Sequence, residues 1–86
     1  MTEKEVNELF NGTRLKFQEY HKYIFSYSGI SKCNNYLIRC SFGGDSDDIY
    51  RDVFGPEEQF RNVSDCSSVN VVRLSDAKEV FLYCSF

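Results

Sequence analysis

The chain has 86 residues, of which 42% are hydrophobic and 27% charged, with a net charge of −3. This is a globular composition for a single domain, residues 1–86, and it argues against a disordered tail. The acidic balance argues against direct binding to DNA or RNA, whose affinity comes mainly from neutralising phosphates with Lys and Arg.

The opening Met1-Thr2-Glu3-Lys4-Glu5 carries neither a basic segment nor an apolar leader, and no apolar run approaches the ~20 residues of a membrane span. The expectation is therefore a cytoplasmic protein without a membrane association, its four cysteines, Cys33, Cys40, Cys66 and Cys84, held as reduced thiols. The spacing of those cysteines fits no zinc pattern, so neither a metal nor another cofactor is expected.

In chain order, Thr2 and Glu5 form a capping box, and Val6, Leu9 and Phe10 follow at helical spacing, so a helix over about 2–10 is predicted. Next comes alternation, with Leu15, Phe17, Tyr23, Phe25 and Tyr27 all at odd positions. Weak turn chemistry near Glu19 to Lys22 favours reading residues 13–28 as one long or bulged strand over a hairpin. The linker 28–35 reads as a turn. A strand from Tyr36 to Phe42 then puts Tyr36, Ile38, Cys40 and Phe42 on one face.

A second helix is predicted over about 46–54. Asp45 or Ser46 can cap it, Ile49, Tyr50, Val53 and Phe54 recur at helical spacing, and Gly55-Pro56 stops it. Its outer side, Asp47, Asp48, Arg51 and Asp52, continues into Glu57 and Glu58 as a mostly negative surface. Residues 57–68 read as an irregular surface loop with Phe60 and Val63 as apolar handles. The chain closes with a hairpin, Val69 to Leu74 and Glu79 to Phe86, turning over 75–78. Pairing Leu74 with Glu79 groups Val69, Val71, Val80, Leu82 and Cys84 on one face, and Val72, Leu74, Phe81 and Tyr83 on the other.

The fold class is accordingly α+β: an antiparallel sheet of four to five strands with two short helices. Both faces of the sheet read as apolar, and two short helices roof only one, so a homodimer or higher oligomer is expected to cover the other.

No motif of phosphate binding, nucleophilic catalysis or zinc proteolysis occurs, so the chain does not read as an enzyme. Residues 44–86 carry four bases and nine acids, a balance of 4 − 9 = −5, against six and four in residues 1–43, or +2. In size and charge the chain resembles the small acidic proteins with which phages and other mobile elements block host machinery. That resemblance implies an inhibitor or anti-defence interaction protein that meets a basic protein surface through Asp47, Asp48, Arg51, Asp52, Glu57 and Glu58. A second reading is an oligomer that sequesters a small nucleotide-like ligand, with Arg39 and Arg73 on the phosphate and Tyr36 and Tyr83 stacking the base.

Overall fold

The computed structural model describes residues 1–22, 24–43 and 56–85. The acidic helix expected at 46–54 therefore lies outside the described residues, together with Asp47, Asp48, Arg51 and Asp52.

Helix α1 spans Glu3–Phe10, as its capping box requires: the Thr2 hydroxyl accepts from the Glu5 amide, and the Glu5 carboxylate accepts from the Thr2 amide at 3.1 Å. That bond with the Thr2 backbone also holds the Glu5 carboxyl below its ordinary pKa. Val6 and Phe10, one turn apart, are the buried residues of the helix.

Among the described residues, six strands form one antiparallel sheet: β1 Leu15–His21, β2 Ile24–Ile30, β3 Tyr36–Gly43, β4 Glu57–Glu58, β5 Ser68–Arg73 and β6 Lys78–Cys84, in the order β4-β1-β2-β3-β5-β6. The count exceeds the expected four to five by one strand, β4, and the hairpin alternative for residues 13–28 supplies the fifth. Residues 13–28 are a hairpin and not one strand, since the chain reverses between His21 and Ile24, which pair directly. Lys22 supplies the left-handed backbone of that reversal, at φ 50°. The hairpin does hold a bulge, at Gln18, between the pairs Phe17–Tyr27 and Glu19–Ser26. The added strand, β4, is the two-residue start of the expected loop, which pairs with Leu15 and Lys16. Beyond it, Phe60 and Val63 are buried, and residues 63–65 form a turn of 3-10 helix.

The β5–β6 hairpin forms where expected but in another register. The four-residue turn is Leu74 to Ala77, set one residue early, so that Arg73 pairs with Lys78. The Arg73 guanidinium grips Asp76 with two bonds of 3.0 and 2.6 Å, and Asp76 also accepts from the Lys78 amide. A bulge at Val80 then brings Phe81 opposite Val71 and Tyr83 opposite Val69. Phe81 and Tyr83 consequently join Val69 and Val71 on the core face, and Leu82 turns outward, 64% exposed.

The core lies on one face of the sheet. Leu15, Phe25, Tyr27, Ile38, Val69 and Val71 are all at most 1% exposed, and α1 with the segment 60–66 covers them. Asn7 accepts from the Val63 amide at 2.8 Å, which ties helix to segment. Gly29 is required where β1 begins: a Cβ there would stand 2.7 Å from the Arg14 carbonyl oxygen. Thr13, 2% exposed, locks the neighbouring corner by donating to the Leu9 carbonyl at 2.6 Å and accepting from the Lys32 amide at 3.0 Å.

Candidate binding surface

The other face of the sheet is set by the register. Across it, Lys16, Ser28, Arg39, Asn70 and Leu82 stand in one row from β1 to β6, and Glu19, Ser26, Ser41, Ser68 and Cys84 in the next. At one end Ile30, Leu37 and Val72 form a short apolar row. The expectation of two apolar faces is therefore corrected. The shifted β6 register moves Phe81 and Tyr83 into the core, and serines occupy the middle of the outer face.

Small side chains at the centre and longer ones around them leave a hollow of about 420 Å³, floored among the described residues by Ser26, Ser28, Ser41 and Ser68 and edged by Gln18, Glu19, Arg39 and Asn70. That is within the range of small-ligand sites. Ser41 and Ser68 hydroxyls bond each other at 2.5 Å, and the Asn70 amide donates to the Phe81 carbonyl. Arg39 is exposed, and among the described residues its guanidinium has neither an ion pair nor a hydrogen-bond partner.

The four residues assigned to a nucleotide-like ligand do not converge. Tyr36 and Arg73 are cross-strand partners at one end of the core face, beside a second hollow of about 490 Å³. Arg73 is committed to Asp76, whose carboxyl its hydrogen bonds hold down at about 2. Tyr83 belongs to the core face opposite Val69, and Arg39 to the opposite face of the sheet. Only Arg39 faces the serine-floored hollow, where no aromatic side chain of β1, β2, β3 or β5 projects to stack a base. Of the acidic surface, Glu57 lies 3.9 Å from Arg14, and both Glu57 and Glu58 sit on edge strand β4. The serines were missed because Ser26 and Ser41 read as ordinary solvent-facing strand positions, and Ser28 and Ser68 as parts of a turn and a loop. Only the strand order reveals that four of them adjoin.

The cysteines divide by burial. Cys40 and Cys66 are 3% and 4% exposed, Cys33 and Cys84 are exposed, and all four are free. The Cys66 thiol beside it and its burial push the Cys40 thiol far up. The Ser31 hydroxyl, 3.2 Å from Cys33 Sγ, lowers the Cys33 thiol. A thiol reagent should thus label two cysteines in the folded protein, Cys33 first, and all four after unfolding without prior reduction. Labelling of Cys40 or Cys66 as fast as Cys84 would contradict the packing. His21, the one histidine, lies at the hairpin end of β1, and Cys33 follows β2 at its far end. The seven residues of β2 between those ends span roughly 20 Å of strand. Among the described residues, no three His, Cys, Asp or Glu side chains gather as for a metal ion, and no helix is long and apolar enough to cross a membrane.

No family model, curated protein or solved structure matches the chain significantly.

Proposed function

We propose that the chain is a small, non-enzymatic binding protein and that the hollow of its outer sheet face is the surface it binds with. One observation carries this reading: an arginine without a partner among the described residues edges a concavity that the core does not use. A sheet face needed only for solubility gains most from long or β-branched polar side chains, which pack across strands. Serines forgo that packing at four adjoining positions. The absence of a Cys–His approach, argued above for Cys33, supports binding over catalysis.

A second proposal rests on charge. The balance of −5 over residues 44–86 favours a basic protein surface as partner, in the manner of an inhibitor, with Asp47, Asp48, Arg51, Asp52, Glu57 and Glu58 meeting it.

Native mass spectrometry of the protein taken directly from its source cells separates these readings. A small added mass on the 10.1 kDa chain that disappears in Arg39→Ala supports the hollow. A protein partner retained by Arg39→Ala but lost in Asp48→Asn/Asp52→Asn, increasingly as salt is lowered, supports the acidic surface instead. A bare dimer would assign the outer face to self-association.

A further inference from the structure

We infer that the hollow takes a phosphate monoester of a small hydroxylated molecule, its phosphate seated at Ser28 between Lys16 and Arg39. The inference rests on the outer-face reading proposed above and names the ligand for it.

Charge and spacing carry the argument. Lys16 pairs with Ser28, and Ser28 with Arg39, so the three occupy consecutive strands at one level. Neighbouring strands are ~4.8 Å apart, which places the backbone of a cationic residue one spacing to either side of Ser28. Leu15 and Ile38, the chain neighbours of the two cations, are buried on the core face, so Lys16 and Arg39 project on the outer face with Ser28. Neither the Lys16 ammonium nor the Arg39 guanidinium has an ion-pair or hydrogen-bond partner among the described residues; the Gln18 amide bonds only the Lys16 carbonyl. Lys16 has Glu57 across the strand pair, but Glu57 approaches Arg14 instead. Two cations match a phosphate dianion, and the guanidinium fork matches two of its oxygens. A third oxygen falls to the Ser28 hydroxyl.

The rest of the hollow selects the body of the ligand. Among the described residues its other polar side chains are neutral hydroxyls and amides at Gln18, Ser26, Ser41, Ser68 and Asn70, with one carboxylate, Glu19, in the adjoining row beside Ser26. A carboxylate there repels a second phosphate and accepts hydrogen bonds from hydroxyls. Among the described residues the floor offers no aromatic ring, which disfavours a nucleobase. A single phosphate on a polyhydroxylated skeleton satisfies all of these features.

The test is amide chemical-shift titration of the isotope-labelled protein with glucose 6-phosphate as the probe, with glucose and inorganic phosphate in parallel. The expected result is saturable shifts at Ser26, Ser28, Arg39 and Ser41 with glucose 6-phosphate, weaker binding of inorganic phosphate, and none of glucose. Arg39→Ala should weaken the probe at least tenfold with an unchanged circular dichroism spectrum. Ser28→Val, which introduces a better strand former at an outward position, should lose binding while the protein unfolds no more easily than the parent. Glucose binding as well as its phosphate, inorganic phosphate binding equally tightly, no saturable shift at these four amides, or equal binding by Arg39→Ala would each overturn the inference. The last two outcomes leave the binding reading intact if Arg39→Ala still strips an added mass from the protein purified from its source cells.

Discussion

Tyr27→Ala is expected to cost about 3–5 kcal/mol of folding stability, the range of large aromatic truncations in packed cores. Tyr27 is the largest of the fully buried side chains among the described residues, on β2, the third strand across the sheet and close to its middle. Its ring meets Phe17 at 5.8 Å, Phe42 at 5.6 Å and Phe60 at 5.8 Å between centroids. Removing it leaves a void between two strands and the covering segment, which none of the three rings can fill without leaving its other contacts. A domain of this length has roughly 4–13 kcal/mol in total, at about 0.05–0.15 kcal/mol per residue. The variant should therefore be largely unfolded at 37 °C if the parent is near the lower bound. Urea unfolding of both proteins measures the loss. Tyr27→Phe, which keeps the ring and drops the hydroxyl, should cost about 1 kcal/mol. A loss below about 1 kcal/mol for the alanine variant would mean that Tyr27 is not at the centre of the core.

The same residue shows why part of the fold is legible in the sequence and part is not. Leu15, Phe17, Phe25 and Tyr27 share one parity because Phe17 pairs with Tyr27, and the bulge at Gln18 that sets this register passes the core position to Tyr20 before the turn. A hairpin so registered reads as a single long strand. Its reversal rests on a left-handed Lys22, and no Asn-Gly or Gly marks the position. Helix α1 and strand β3 are legible because their signals are local: a capping box for one, and four core residues at every second position for the other. The β6 register is not legible, since it depends on Asp76 gripping Arg73 and on the bulge at Val80. An error of one residue there exchanges Phe81 and Tyr83 for Leu82. The candidate site follows the same division. Arg39 is visible as an outward strand arginine, but its neighbours Ser28 and Asn70 come from strands before and after it in the chain.

Phe60→Ala is the second large effect, and it should differ from the first in where stability is lost. Phe60 is 8% exposed and bridges the two layers, with Phe10 of α1 at 6.4 Å on one side and Phe42 and Tyr27 of the sheet at 5.1 and 5.8 Å on the other. Truncation should cost about 3 kcal/mol in global stability, near the lower end of the phenylalanine range because the site borders solvent. The ring is also a main apolar connection between α1, the segment 60–66 and the sheet. What remains includes Val6, Phe10 and Val63, together with the bond from the Val63 amide to Asn7. Amide hydrogen exchange should therefore show the Val63 and Cys66 amides, and those of the α1 interior, losing protection by more than the amides of β2 and β3. The strands keep their own ladder and the Tyr27–Phe42 contact. Equal loss of protection in all these elements would show that helix, segment and sheet open as one unit. Phe60→Leu, which fills most of the space, should restore more than half of the lost stability and return α1 protection toward that of the parent.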